Sequence, residues 1–448
     1  MTNAHPVLSI FQVAAQRVPA YRRILAEAGV RPEQILSLDD FLALVPILDK
    51  NGTFYRFPLA ELCLDGELGR PSAVLTSSGH SGRFSFGLYE RERADAESRH
   101  IDDVLDAFFS VRSRPTLLIN CLPMGVKVTT RACTLAETSV RADMVTAIVR
   151  GFGEHYEQII IVGDTAFVKH VVELGQQEGV DWPGMQVHVI VGEEPIAENA
   201  RKYLELMLGI GEIGFDQGFV GSSMGVAELG LNLFVELPGT VSLRRVLHED
   251  ARARQALLGP DATHVPMLFT YDPSRVFVET LPDGRLVLTP LDAGRRVPLV
   301  RYATGDIASL VGPEDFEGLD AVEDAWLQDL KGLGLAMVHG RGRGATAGGV
   351  TVHPEQVKEG LYLEPELARL TTANFRLTSG SSQVTARVQL SPGMTANPQL
   401  ERAYEQAIAR YAPAPVAVVC ETYAAFSGGM ALDYERKFDY LADDEPAG

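Results

Sequence analysis

The chain has little cysteine and little positive charge. Four cysteines, Cys63, Cys121, Cys133 and Cys420, stand far apart in 448 residues, with no Cys-x-x-Cys spacing. That excludes a paired disulfide framework and fits thiols kept reduced in the cytoplasm. Lys plus Arg number 40 against 59 Asp plus Glu, a formal net charge of −19. Such an acidic surface repels phosphate backbones and anionic lipid head groups, so neither nucleic acid nor a membrane surface is an expected partner. No run of 18 apolar residues occurs, and residues 1–20 show no basic-then-apolar leader pattern. The expectation is a cytoplasmic protein.

Apolar residues make up 46% of the chain, enough for a large core and too many for a disordered acidic tail. Short apolar runs at 116–120, 159–162 and 187–191 read as buried parallel strands. Asp164 is placed to cap a helix with Phe167, Val171 and Leu174 on one face. A second helix turns Ile196, Ala200, Tyr203, Leu204, Met207 and Leu208 inward and ends at Gly209. Strand, helix, strand, helix predicts a large layered α/β domain. The Gly-rich stretch 340–349 reads as a hinge or linker. Beyond it Val384 to Leu390 alternates as a half-exposed strand, Asn397-Pro398 opens a helix, and 416–419 makes another strand. The predicted division is therefore 1–338 for the large domain and 339–448 for a small hinged α+β lid.

Three segments carry chemistry. Thr76-Ser-Ser-Gly-His-Ser-Gly-Arg83 lies between strand-like residues. Small residues there let backbone amides approach an anion, serine hydroxyls add donors and Arg83 adds charge. It reads either as a phosphate-binding loop or as a plain Ser/Gly hairpin turn. In Ser222-Ser-Met-Gly-Val-Ala-Glu228, one carboxylate among small residues is suited to a magnesium ion beside phosphates. In Arg301-Tyr-Ala-Thr-Gly-Asp306 an acid after a tight turn is suited to ribose hydroxyls. By contrast, Gly209-x-Gly211-x-x-Gly214 follows a helix rather than a strand, so it reads as a helix end and not a dinucleotide fingerprint. His248 and His353 have no second His or Cys at ligand spacing and read as surface residues. Cys121 reads as a buried structural thiol, while Tyr156 and Met124 are pocket candidates by their nearness to strand ends.

Taken in order, these segments resemble the adenylate-forming superfamily of acyl-CoA synthetases, and within it the phenylacetate-CoA ligase branch. Ser37-Leu-Asp-Asp-Phe41 with Pro46-Ile-Leu-Asp-Lys50 is similar to that branch's N-terminal segment. Residues 77–82 resemble its phosphate loop, Val191-Gly-Glu-Glu194 its "GGE", Met224-Gly-Val-Ala-Glu228 its "YGxTE", and 301–306 its "RYRTGD". Gly340-Arg341 with Gly349-Val-Thr-Val-His-Pro354 resembles "GR…RGVNVFP", and 435–441 the tail that carries the family's catalytic lysine.

The resemblance implies that ATP and a small carboxylic acid give an acyl-adenylate and pyrophosphate, after which a thiol displaces AMP. It assigns Ser77, Ser78, Gly79, His80, Ser81, Gly82 and Arg83 to the phosphates, and Glu228 to Mg2+. It assigns Asp306 and Arg341 to the ribose, and Gly192, Ser223 and Met224 to the adenine side. Lys437 is the catalytic cation, beside Glu228 as the second catalytic residue. Coenzyme A is the implied acceptor, with a carrier-protein thiol or an amine as the rival, and a homodimer is left open. A non-catalytic nucleotide-binding protein is the reading from a different class. Departures are His80 for Thr, Met224 for an aromatic, Ala303 for Arg, Arg343 for an acid, Gly348 for a basic residue and Arg436 for Gly. They bear on the thioester-forming half-reaction more than on adenylation.

Overall fold

The computed structural model describes residues 5–77, 83–123, 126, 128–319, 321–426 and 438–441. Its strands are β1 (Ala73–Thr76), β2 (Phe86–Tyr89), β3 (Thr116–Asn120), β4 (Thr134–Glu137), β5 (Gln158–Gly163), β6 (Val187–Val191), β7 (Phe219–Val226), β8 (Gly230–Val235) and β9 (Met267–Tyr271). They continue with β10 (Val276–Thr280), β11 (Arg285–Pro290), β12 (Tyr302–Val311), β13 (Gly334–Val338), β14 (Ala345–Ala347), β15 (Val350–Val352), β16 (Thr371–Thr378), β17 (Val384–Leu390) and β18 (Val416–Glu421).

Eleven strands form one sheet in the order β10-β11-β12-β13-β9-β8-β7-β6-β5-β3-β4. From β4 to β7 every pairing is parallel, and from β7 to β10 every pairing is antiparallel. Within the parallel half β3, β5 and β6 are buried on both faces, which is why Thr116–Asn120 and Val187–Val191 are largely apolar runs, while the edge strand β4 is partly exposed. Helices Thr165–Gln177 and Glu198–Leu208 follow their strands as crossover elements. Asp164 accepts from the Ala166 and Phe167 amides as the cap of the first, and Gly209, at φ +75°, closes the second in the left-handed conformation. Both ends match the sequence expectation.

A charged cluster is buried under the second of these helices. Arg201, fully buried, pairs with Glu198 and Glu236 and donates to the Val220 carbonyl of β7. Arg244 and Arg245 share Glu198. An ion cluster of this kind is costly to break, since losing one partner strands an uncompensated charge. It fixes helix Glu198–Leu208 against β7, the strand at which the two halves of the sheet meet.

After β13 come the β14–β15 hairpin, helix Pro354–Leu361 and a three-stranded sheet, β16-β17-β18, backed by helix Pro398–Ile408. The reading of 340–349 as a linker is corrected in its second half. Gly348 and Gly349, at φ +56° and +83°, are the two-residue turn of the β14–β15 hairpin, which needs positive φ at both positions. Glycine is there to make a turn rather than to free the chain. The C-terminal elements pack on the body. Glu359 accepts from the Glu198 and Asn199 amides at 2.7 and 3.0 Å, satisfying the N-terminus of that helix. Lys169 donates to the Thr371 carbonyl at 2.8 Å. No described helix is long and apolar enough to cross a membrane.

Candidate active site

The carboxyl ends of β3, β5, β6 and β7 open on one side of the sheet, where ligands of open α/β sheets bind. Gly192, just beyond β6, donates its amide to the Gly163 carbonyl at 3.1 Å. A Cβ placed on Gly192 would lie 3.8 Å from both the Leu122 side chain and the Ser223 carbonyl, so the three segments converge there. Ser223 and Met224 belong to β7, and the Ser223 hydroxyl contacts Asn232 Oδ1 at 2.7 Å. Cys121 is buried, with its thiol pushed up to about 12 by burial, and so is the inert structural thiol expected. Tyr156 is corrected: it precedes β5 and stands at the amino end of that strand, away from this opening. Met124 lies outside the described residues.

Glu228 sits in the turn between β7 and β8, and only 2% of it is exposed. A solvated turn acid is thereby ruled out. Its Oε1 accepts the Tyr302 hydroxyl at 2.7 Å and stands 3.5 Å from Lys50 Nζ. Among the described residues its buried Oε2 has no hydrogen-bond partner. Burial and the Glu228 carboxylate push the Tyr302 phenol well above its ordinary range, so it remains a donor. An orphaned buried carboxylate oxygen fits a cation. Among the described residues no group of three His, Cys, Asp or Glu is placed to hold a metal. A magnesium ion here would thus complete its shell from phosphate oxygens and water, as magnesium commonly does.

The β1–β2 hairpin is brought to Glu228 by a close backbone approach. β1 pairs antiparallel with β2, and Ser77 and Ser85 exchange bonds, Ser77 N to Ser85 O at 3.0 Å and Ser85 N to Ser77 Oγ at 3.1 Å. A Cβ on Gly87 would lie 2.2 Å from the Ala227 carbonyl oxygen, so only glycine lets β2 meet the Glu228 turn. Arg83 is exposed, lies over the Tyr55 ring at 5.4 Å and accepts the Tyr55 hydroxyl at its carbonyl. Ser78, Gly79, His80, Ser81 and Gly82 lie outside the described residues.

Asp306 is reached through a distortion in β12 rather than after a turn at its end. Between the pairs Arg285↔Ile307 and Val287↔Ala303 the register shifts, and Gly305 adopts φ +89°. The Ile307 amide donates to the Gly340 carbonyl at 2.8 Å, and the His339 amide to Ile307 O at 2.8 Å. These bonds hold Arg341 Nε 4.0 Å from Asp306 Oδ1. Gly340, at φ +77°, in turn faces Pro195, 3.9 Å from its would-be Cβ. The contacts therefore close a circuit: hairpin to Glu228, Glu228 to Tyr302 and β12, Asp306 to Arg341, Gly340 to Pro195, and Gly192 back to Ser223.

Two members of this circuit, Lys50 and Tyr302, are absent from the sequence-based site. Their side chains acquire a role only through tertiary contact. Leu48 bonds both ways with Arg301 and Ala303, at 2.9 and 2.8 Å. The buried Arg301 is paired with Glu279 and donates to the Leu42 and Val45 carbonyls. That clamp brings Lys50 to Glu228. The signal was present only as the quoted 46–50 segment. Arg295 is a third: buried, it donates to the Glu228 carbonyl at 3.2 Å, and burial with Arg93 nearby pushes it down to about 10. Lys437 lies outside the described residues. His248 is corrected from a surface residue. Its side chain is only 6% exposed, stacks on Tyr411 and bonds Asn199 Oδ1 at 3.1 Å.

No protein-family model matches the chain, and no curated protein matches it. Solved structures do. A 2-hydroxyisobutyryl-CoA ligase in the postadenylation state, in complex with R3-HIB-AMP, is similar at a TM-score of 0.68 and 15% identity, over 98% of this chain and 88% of that one. An open conformation of that ligase, in complex with 2-HIB-AMP and CoA, is similar at 0.53 and 15% identity, over 98% and 91%. Its thioesterification state, with the same two ligands, is similar at 0.52 and 15% identity, over 98% and 88%. At such identity the likeness is one of fold, and this chain shares the fold of that ligase.

Proposed function

We propose that the protein activates a small carboxylic acid with ATP and passes the acyl group to a thiol, coenzyme A being the acceptor. The observation that carries the reading is Glu228: a buried carboxylate with one oxygen bonded and the other without a partner among the described residues, at the turn the β1–β2 hairpin packs against. In the first step a carboxylate oxygen of the acid attacks the α-phosphorus of ATP, the bond to the β-phosphate breaks, and pyrophosphate leaves. Charge grows on phosphate oxygens, so the chain's part is to position and to neutralise. Ser77 and Arg83 flank the phosphate loop, Glu228 would hold Mg2+, and Asp306 with Arg341 receive the ribose. Gly192, Ser223 and Met224 flank the adenine. Magnesium, when bound, supplies charge neutralisation across the phosphates. Lys437, carried by the C-terminal unit 339–448, is the cation for the attacking carboxylate and the α-phosphate. In the second step the thiol sulfur attacks the acyl carbon, its proton is lost, and AMP departs with the bonding electrons.

Supporting this are the order of the motifs along the chain and a fold shared with ligases that were solved with acyl-AMP. The test is ATP–pyrophosphate exchange over a panel of aryl and short alkyl acids. Exchange that depends on one class of acid supports the reading. ATP binding with no exchange for any acid favours the nucleotide-binding protein. Where exchange occurs, coenzyme A against a phosphopantetheinyl carrier decides the acceptor.

A further inference from the structure

One oxygen of Glu194, just past Gly192, collects two separate parts of the C-terminal unit. Lys358, on helix Pro354–Leu361, donates to Glu194 Oε2 at 2.6 Å, and the Tyr440 hydroxyl donates to the same atom at 3.0 Å. Lys358 Nζ also lies 4.2 Å from the centre of the Tyr440 ring. The pair Glu194–Lys358 is nearly withdrawn from water, with side chains 12% and 10% exposed. Tyr440 packs against Phe375 of β16, and its carbonyl accepts from the Leu377 amide at 2.7 Å. The segment 438–441 is thus bound to the body through Glu194 and to the three-stranded sheet through Leu377.

In sequence, Lys437 precedes Tyr440 by three residues. We propose that Glu194 is a positioning residue for adenylation: through Tyr440 and Lys358 it anchors residues 438–441, which follow Lys437 in the chain, at the carboxyl end of β6. This rests on the function proposed above. The comparisons favour an anchor of one state. The same ligase, covering the same 98% of this chain, matches at 0.68 in its postadenylation form and at 0.52 in its thioesterification form. Over the whole chain the likeness is thus greater to the postadenylation form.

The proposal separates the two half-reactions. Glu194→Gln and Tyr440→Phe are expected to lower the kcat of ATP–pyrophosphate exchange about tenfold with the KM for ATP unchanged. Thioester formation from supplied acyl-adenylate should hold or rise. Tyr440→Phe deletes a single oxygen and serves if Glu194→Gln does not fold. Hydrogen exchange of the substrate-free protein gives a second readout. The Leu377 amide, bonded to Tyr440 rather than to β17, should lose protection at least tenfold in both variants. Unchanged protection overturns the anchor, whether or not the protein adenylates anything. Lost protection with unchanged exchange, or an equal fall in both half-reactions, overturns its role in positioning. A wild-type protein that exchanges with no acid overturns the proposed function instead, and the protection measurement still judges the anchor.

Discussion

Tyr302 donates its hydroxyl to Glu228 Oε1 at 2.7 Å, while the buried Glu228 Oε2 has no partner among the described residues. Half of this carboxylate is structural and half is available. Glu228→Gln keeps an acceptor for Tyr302 and removes the charge. Exchange activity is expected to fall on the order of a hundredfold, the usual scale for a lost charge-stabilising group, with the concentration of Mg2+ needed for half-maximal rate raised. Melting temperature should change little. Kinetics at varied Mg2+ check this, and an unaltered Mg2+ dependence removes Glu228 from the metal site.

Tyr302→Phe tests the other half. The buried carboxylate loses its neutral donor, and stability is expected to drop by about 1–3 kcal/mol. In the Glu228→Gln background the same change should cost less, because a neutral amide is less expensive to leave unpaired. Urea denaturation of the four proteins in this cycle gives the coupling; strict additivity contradicts the contact.

Gly87→Ala places a methyl group 2.2 Å from the Ala227 carbonyl. Backbone must yield, so β2 and the Glu228 turn move apart at a cost of about 1–3 kcal/mol. Exchange activity should fall by more than the loss of folded protein explains, read by comparing active-site titration with total folded protein. A variant with wild-type rate per folded molecule removes the hairpin's role in placing the phosphate loop.

Stability should turn over with pH for two opposed reasons. Burial pushes His188 down to about 3, and His248 and His264 down to about 4. Unfolded histidine, near 6.5, takes the proton first, so stability present above about 6.5 is lost as pH falls toward 4. Asp164 acts oppositely. Burial, with Glu194 beside it, raises its carboxyl to about 7. Between about 4 and 7 the folded chain keeps a proton the unfolded chain has released, and this contribution declines as pH rises. Asp164→Asn retains the cap acceptor, so its melting temperature should gain on the wild type from pH 4.5 to pH 7.5. A constant difference across that range contradicts the assignment.

Much of the parallel half of the sheet was legible because burial on both faces writes itself as a largely apolar run, as at 116–120 and 187–191. Helix ends were legible for the same local reason: Asp164 and Gly209 act on their own neighbours. Four features were not. The hairpin turn at Gly348-Gly349 was hidden because glycine marks positive φ as readily as flexibility. Asp306 sits at a bulge whose partner register no single strand reveals. Lys50 and Tyr302 meet Glu228 across the fold, through the Leu48 and Arg301 contacts, and His248 is buried by Tyr411 from the far end of the chain.

The central claim is that this site joins a carboxylic acid to the α-phosphate of ATP. The most direct measurement is mass spectrometry of the nucleotide products after incubation with ATP, Mg2+ and each acid of the panel, with no thiol present. The account predicts an enzyme-bound acyl-adenylate with one pyrophosphate released per adenylate. ADP and phosphate as products, or unchanged ATP with every acid, would contradict it.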